Sequence, residues 1–220
     1  LRKQKEAFVI SNRSQENDFH QLIDSLKKQQ HVFIIFNNEQ VLTKKITEIY
    51  PEDKGILQLA FPTIRVSDFY YETYQSNGNT FVAIVRKKHV DAIILQYQKK
   101  GISVIDFSLG NLVVKNLQEI VTEKSLETSN AEIHFEAQLI DEIKKKTPPE
   151  KTFVINDLRI SNSEVLSLAG IVGYYTQNTS SQIQKKLKEN YTQKRIFDVG
   201  LKSGLRFLLV VLLVNFLIFS

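Results

Sequence analysis

Cysteine, methionine and tryptophan are all missing from this chain of 220 residues. Without cysteine the chain forms no disulfide bond and offers no thiolate as a metal ligand or nucleophile, which fits a reducing compartment. The chain has no methionine, even at the first position. This indicates an internal fragment of a longer protein or a sequence from which modified methionines are omitted.

Histidine is scarce as well, and its distribution argues against a metal site. The four histidines are scattered, with no pair at the spacing of metal ligands: His20, His31, His89 and His134. The sequence has no G-x-x-x-x-G-K-[ST] phosphate loop, no G-x-G-x-x-G and no nucleophile elbow. We therefore predict a protein that is not an enzyme and binds no cofactor and no metal.

The stretch from Thr80 to Gly110 carries the clearest structural pattern. Thr80–Val85 predicts a buried strand and Ile102–Phe107 a second one. Between them an apolar stripe predicts a helix; its members are Val90, Ile93, Ile94 and Tyr97. If the two strands are parallel neighbours, their connection is a right-handed crossover. This unit predicts an α/β or α+β body.

Two features of the same unit are candidates for contact with other molecules. Asp106 ends the second strand, where it would either face a ligand or, as we favour, cap the next helix or pair locally. The polar face of the helix is a candidate contact surface, formed by Lys87, Lys88, Asp91 and Gln98.

Three hairpins are predicted from apolar runs that flank turn residues. They join Val32–Phe36 to Gln40–Ile46, Ile64–Tyr74 to Thr80–Val85, and Thr152–Ile155 to Leu158–Ile160. The second hairpin is rich in aromatic residues, for which core packing is favoured over an exposed partner surface. These residues are Phe69, Tyr70, Tyr71 and Tyr74.

Helices are predicted where apolar residues recur every three or four positions. One follows the cap Asp18 to about Gln30, a short one follows Pro51, and one opens at a capping box of Ser161 and Glu164. Two more are predicted over about 111–123 and over 139–146, the second after a strand at 131–137.

The excess of positive over negative charge lies in one segment near the end of the chain. The chain has 29 basic and 24 acidic residues, a net charge of +5. Residues 183–206 contain seven basic and two acidic residues and so account for the whole excess; the basic ones are Lys185, Lys186, Lys188, Lys194, Arg195, Lys202 and Arg206. A neutral body does not provide a surface that follows phosphates, so no nucleic acid is expected as a partner.

The most hydrophobic stretch follows this basic segment at once. It is FLLVVLLVNFLIF, interrupted by Asn215, and its apolar members are Phe207, Leu208, Leu209, Val210, Val211, Leu212, Leu213, Val214, Phe216, Leu217, Ile218 and Phe219. About 20 apolar residues span a bilayer, so this run is either the start of a membrane anchor or a buried core helix. The preceding basic residues favour the anchor, with the earlier residues in the cytoplasm.

Three segments together resemble a known family. They are VLTKKI at 41–46, FVAIVRKKHVDAIILQYQKKGISVIDFSLG at 81–110 and VINDLRISNSEVLSLAGIVGYYT at 154–176. Their order resembles that of the actin-like cytoplasmic subunits of type IV pilus and type II secretion machines, the M-type and L-type proteins. The closing hydrophobic run matches the L-type order, in which a single membrane span follows the body.

The resemblance implies a degenerate actin-like, ribonuclease-H-like α/β (α+β) body of two subdomains, followed by a transmembrane helix. Residues 1–110 would form the first subdomain, 111–182 the second, 183–206 a basic juxtamembrane segment and 207–220 the start of the span. The chain lacks the D-x-G-type phosphate loop after a first strand pair and a second phosphate loop. The nucleotide site of the family is therefore not carried over.

The implied function is that of a non-catalytic scaffold in the inner-membrane platform of a secretion or pilus system. Its partners would be the cytoplasmic assembly ATPase, other platform subunits, the membrane and a second copy in a homodimer. Two alternatives stay open: an actin-like ATP-binding protein whose phosphate loops lie outside this chain, and a membrane-tethered regulatory domain.

Overall fold

A computed structural model describes residues 2–4, 7–9, 13–16, 18–27, 30–47, 53–155 and 158–176. Its strands are β1 (Arg2–Gln4), β2 (Ala7–Val9), β3 (His31–Phe36), β4 (Leu42–Ile46), β5 (Phe69–Ser76), β6 (Asn79–Arg86), β7 (Ser103–Leu109), β8 (Ser125–Glu127), β9 (Ala131–Glu136), β10 (Leu139–Lys145), β11 (Thr152–Ile155) and β12 (Leu158–Ser161). Its α-helices are α1 (Phe19–Ser25), α2 (Asp53–Ala60), α3 (Lys87–Lys99) and α4 (Val165–Tyr175). Two 3-10 helices, η1 (Val66–Asp68) and η2 (Gly110–Leu117), complete the described elements.

The strands form several small sheets. β3 and β7 pair in parallel, whereas β4-β6-β5 and β8-β9-β10 are antiparallel sheets of three strands. β11 pairs with β12 and β1 with β2 as antiparallel ribbons. The fold is therefore a mixed α/β architecture of the α+β kind, as the sequence predicted.

The β4-β6-β5 sheet separates two hydrophobic clusters. On one face, Val82 and Ile84 of β6 pack with Ile56 and Leu57 of α2. On the other, Phe81, Ala83 and Val85 join the larger cluster, which includes β7, η2, β9 and α4. The alternation of side chains along a strand explains how β6 serves both clusters.

The first predicted hairpin is wrong. β4 pairs with β6, and the ladder described for β3 is the one with β7. β3 is a continuous apolar run, HVFIIF, which is typical of a strand in a parallel pair. The crossover between β6 and β7 is likewise not formed, because these strands lie in different sheets.

The other two hairpins are confirmed. β5 and β6 pair from Phe69↔Arg86 to Ser76↔Asn79, and β11 pairs with β12. The turn between β5 and β6 places Asn77 and Gly78 at φ +47° and +74°, the left-handed conformation that a two-residue hairpin loop requires.

The predicted helix over 139–146 is the strand β10. It forms a hairpin with β9 through Ala137 and Gln138, both at positive φ. A bulge between Ile140 and Glu142 places Ile140 opposite Phe135 and Ile143 opposite Ile133, so two residues three positions apart share one face. This spacing imitates a helical stripe.

The remaining helices follow the sequence more closely. Asp18 caps α1, because its Oδ1 accepts the N–H groups of His20 and Gln21 at 2.8 and 2.9 Å. The helix ends at Ser25 rather than near Gln30. The helix predicted over 111–123 is instead the shorter 3-10 helix η2. Of the predicted capping box only one bond forms: Glu164 accepts the N–H of Ser161 at 2.8 Å. The hydroxyl of Ser161 donates to the same carboxylate at 3.1 Å, and α4 begins at Val165 with Glu164 as its N-cap residue. The division into subdomains at residue 110 stays a prediction.

Candidate functional site

The parallel strands β3 and β7 end side by side, and a polar cavity lies just beyond their carboxyl ends. Asn37 follows β3, and Gly110 and Asn111 follow β7. The cavity has a volume of about 680 Å³ and is lined by Asn37, Asn38, Glu39, Val41, Thr43, Asn111, Asn130, Lys145, Lys146 and Thr147. Carboxyl ends of parallel strands are where α/β folds place ligands.

Three asparagines hold one wall of this cavity together. Asn37 and Asn130 exchange two amide hydrogen bonds, at 2.9 and 3.1 Å. Asn111 donates to the same oxygen of Asn130 at 3.0 Å and accepts the hydroxyl of Thr128 at 2.8 Å. We call these four side chains the amide cluster. Since Asn111 and Thr128 are buried, their mutual bonds supply the partners that burial demands.

Gly110 permits the close approach of this wall to β4. Its φ is +60°, and an added Cβ would lie 3.3 Å from Cγ1 of Val41 and 3.5 Å from Oγ1 of Thr43. A side chain here would therefore be strained by the backbone and crowded by β4.

Charged residues also line the cavity, namely Glu39, Lys145 and Lys146. Nζ of Lys146 lies 3.1 Å from carboxylate oxygens of both Glu127 and Glu132. These two bonds raise the pKa of Lys146, and the bond from Lys146 lowers the pKa of Glu132. The described lining thus offers amides, hydroxyls and charged groups, all of which can form hydrogen bonds with a ligand.

A second polar cluster lies inside the main core. Ser108 of β7 donates its hydroxyl to Glu72 of β5 at 2.9 Å, and both side chains are buried. Burial raises the pKa of Glu72 to about 7, although Lys115, Ser108, and the N–H of Leu109 act in the opposite direction. Burial also lowers the pKa of Lys115, against the attraction of Glu72. We call Glu72, Ser108 and Lys115 the buried carboxylate cluster.

Asp106 has the local role that the sequence favoured. Its side chain is 1% exposed, and Oδ1 accepts the N–H of Phe107 at 2.8 Å. It lies within β7, so its carboxylate does not line the polar cavity at the strand end.

The predicted aromatic group belongs to the core. Tyr71 is buried, while Tyr70 and Tyr74 pack on the larger cluster and Phe69 on the smaller one. The helix face is only partly available for contact: Lys88 and Gln98 are exposed, whereas Nζ of Lys87 donates to the carbonyl of Ser67 and Asp91 accepts the hydroxyl of Tyr70.

The predicted basic segment and membrane anchor, residues 183–220, lie outside the described residues. In the part of the chain that the structure does describe, no helix is long and apolar enough to cross a membrane. The same part contains no group of three or more potential metal ligands.

The amide cluster and the buried carboxylate cluster were missed in the sequence. Local patterns place Asn37 in a turn and Asn111 at the start of a helix, and they give no sign of the hydrogen-bond partners, which lie 93 and 19 residues away. One signal was present: Glu72 interrupts an aromatic strand, FYYETYQS, at a position that alternation turns toward the core.

Comparison with known proteins adds no family to these observations. No protein-family model matches the sequence, and no curated protein matches it either.

Proposed function

We propose that this protein is a non-catalytic scaffold in the inner-membrane platform of a type II secretion or type IV pilus system, where it couples the cytoplasmic assembly ATPase to membrane partners. One observation carries the proposal. A body with no net charge is followed by a segment holding the whole +5 and then by a run of 13 mostly apolar residues. Cytoplasmic flanks of membrane spans carry such basic residues.

The polar interior is consistent with a structural role. The amide cluster joins the loops after β3 and β7 to the β8-β9 turn, and the buried carboxylate cluster joins β5 to β7 and η2. Buried polar networks whose members are satisfied make a core rigid and specific. A scaffold that transmits force between partners needs such rigidity.

The exposed face of α3 is the surface that we assign to the ATPase. Leu95 is 49% exposed at its centre, and Lys88, Gln98 and Lys99 surround it as charged and polar neighbours. An apolar residue within a polar rim is the usual anatomy of a protein contact. After the internal contacts of α3 are made, this exposed face of the helix remains available to a partner.

The test is co-purification of the full chain with the hexameric assembly ATPase encoded by its own system. We expect Leu95→Asp to reduce ATPase capture, and Leu59→Asp to leave it unchanged, since Leu59 is equally exposed on another helix, at 44%. Failure of the unsubstituted chain to capture the ATPase with or without nucleotide contradicts the coupling role. Detergent-free fractionation tests the membrane location separately: a full chain that stays soluble contradicts the anchor.

A second candidate is an actin-like ATP-binding protein. The observation that favours it is the amide-lined cavity beyond the carboxyl ends of β3 and β7. Calorimetry with ATP and magnesium distinguishes the two candidates. Saturable ATP binding would favour the actin-like ATP-binding protein over the non-catalytic scaffold. No ATP binding in a chain extended at both ends would eliminate the ATP-binding candidate.

A further inference from the structure

The polar cavity beyond β3 and β7 is lined by two opposite charges that do not neutralise each other. Glu39 comes from the loop between β3 and β4, and Lys145 is the last residue of β10. Both are exposed, and neither takes part in an ion pair among the residues that the structure describes. The cavity therefore presents one anionic and one cationic group to a ligand.

The third charged residue of the lining, Lys146, is already balanced. Its Nζ lies 3.1 Å from carboxylate oxygens of both Glu127 and Glu132, and Lys151 lies 3.6 Å from Glu127. These four side chains carry no net charge together. The charges around the cavity thus sum to zero, which matches a ligand that carries one positive and one negative group better than a triphosphate, which carries several negative charges.

The amide cluster adds uncharged donors to the same cavity. A primary amide has two N–H donors and one oxygen acceptor. Within the cluster, Asn37 and Asn111 each donate one N–H to Asn130, at 2.9 and 3.0 Å, and Asn130 donates one to Asn37 at 3.1 Å. The second N–H of each amide is not used by these bonds. Amide groups with spare donors suit a polar ligand group that brings no further charge.

Size and position also fit a small ligand. The volume of about 680 Å³ lies within the range of small-molecule sites. The mutual bonds of the amide cluster fix the loops after β3 and β7 and the β8-β9 turn relative to one another. A wall that is rigid before the ligand arrives lowers the entropic cost of binding.

We propose that this cavity binds a free α-amino acid with an uncharged polar side chain. Lys145 binds the α-carboxylate, Glu39 binds the α-ammonium group, and the amide cluster hydrogen-bonds the side chain. The inference goes beyond the scaffold role and does not rest on it, because the site is built entirely from described residues of the body.

Isothermal titration calorimetry of the full chain in mild detergent tests the proposal. The probes are asparagine, glutamine, serine and threonine, and we expect saturable binding of at least one of them at one site per chain. Two derivatives of the best probe each remove one charge: its N-acetyl form lacks the ammonium group, and its carboxamide lacks the carboxylate. Each derivative should bind at least about tenfold more weakly, because hydrogen bonds between charged groups are the strong ones.

Variants of the two charged residues assign the contacts. Lys145→Gln should weaken binding about tenfold, and the carboxamide should then bind about as well as the parent amino acid. Glu39→Gln should have the same effect with the N-acetyl form. Lys124→Gln and Glu119→Gln are the matched controls, since both positions are exposed and neither lines the cavity. The controls should leave the affinity unchanged.

Three results would overturn the proposal. They are no saturable binding of any of the four probes, derivatives that bind as tightly as the parent amino acid, and control variants that lose as much affinity as the cavity variants. Saturable binding of ATP without binding of an amino acid would also overturn it and would support the second candidate function. Capture of the assembly ATPase is measured separately, so failure of this site and failure of the scaffold role are distinguishable.

Discussion

Ser108 donates its hydroxyl to Oε2 of Glu72 across 2.9 Å of buried space, and so joins β7 to the β4-β6-β5 sheet. The bond stabilises the charged form of Glu72 and lowers its pKa, but burial dominates and raises that pKa to about 7. Glu72 is thus protonated in the folded chain at pH values where an unfolded chain has already lost the proton.

This relationship predicts that the folded state loses stability between about pH 4.5 and pH 7. In that range the folded state binds more protons at Glu72 than the unfolded state, so the free energy of unfolding falls as the pH rises. The contribution is fully present below the ordinary pKa of 4.5 and is lost at about 7. From the shift we expect a loss of about 3 kcal/mol. Urea titrations at pH 5 and pH 8 measure it.

Glu72→Gln should remove most of this pH dependence. The amide resembles the protonated acid, so the variant should match the parent near pH 5 and exceed its stability at pH 8. Ser108→Ala serves as the comparison: it should destabilise by about 1 kcal/mol and extend the pH dependence to higher pH, since it removes a hydrogen bond that lowers the pKa of Glu72. An unchanged pH slope in Glu72→Gln would show that other groups cause it.

Asn116 and Gly173 define the closest approach of η2 and α4. Nδ2 of Asn116 donates to the carbonyl of Ala169 at 3.2 Å, and an added Cβ on Gly173 would lie 2.1 Å from that nitrogen. Gly173→Ala should therefore destabilise the chain by about 1–3 kcal/mol, even though alanine favours a helix. Thermal unfolding of the variant measures this cost.

The double variant Asn116→Ala with Gly173→Ala identifies the cause. Removing the amide makes room for the methyl group. The loss of stability in the double variant should therefore be smaller than the sum of the two single losses by at least about 0.5 kcal/mol. Ser167→Ala, at an exposed position of the same helix, should change stability by less than about 0.5 kcal/mol. Strict additivity would rule out the steric explanation.

The amide cluster should behave as one unit. Asn130→Ala leaves Asn37 and Asn111 without their shared acceptor, and Asn111→Ala leaves the hydroxyl of buried Thr128 without one of its acceptors. We expect each change to cost about 1–3 kcal/mol. In a double-mutant cycle by urea titration, the combined cost should be less than the sum.

Asn79→Ala is the matched control for this cycle. Its amide donates to the carbonyl of Asn77 at 3.0 Å in an exposed turn, so its loss should cost less than about 0.5 kcal/mol. If Asn130→Ala costs no more than Asn79→Ala, the cluster contributes nothing to the stability of the fold.

Local patterns predicted local structure in this chain, and pairings between distant segments escaped them. The stripe of α3 was predicted correctly because Val90, Ile94 and Tyr97 are all buried on one face. The partner of β3 was not, since HVFIIF fits any covered strand and gives no sign of whether β4 or β7 lies beside it. Strand pairing is decided by the tertiary fold.

The polar clusters were hidden for a related reason. Sequence alternation places Glu72 on the same face as Tyr70 and Tyr74, but Ser108 lies 36 residues further along the chain. In β10, the bulge at Ile140 converted a strand into an apparent helical spacing. Each missed feature thus depends on a contact or an irregularity that no short window contains.

The turn at Asn77 and Gly78 gives a prediction in which backbone conformation alone is tested. Gly78 has a φ of +74° and no heavy atom within 4 Å of an added Cβ, so Gly78→Ala meets strain but no clash. We expect a loss of about 1–2 kcal/mol in the free energy of unfolding.

Gly101, after α3, has a φ of +75° and equally open space, so Gly101→Ala should cost a similar amount. Asn77→Gly, which relaxes the neighbouring position at φ +47°, should cost less than about 0.5 kcal/mol. If Gly78→Ala and Asn77→Gly are equally stable, the turn does not require its left-handed conformation, and the register from Ser76↔Asn79 onward is set by the strands alone.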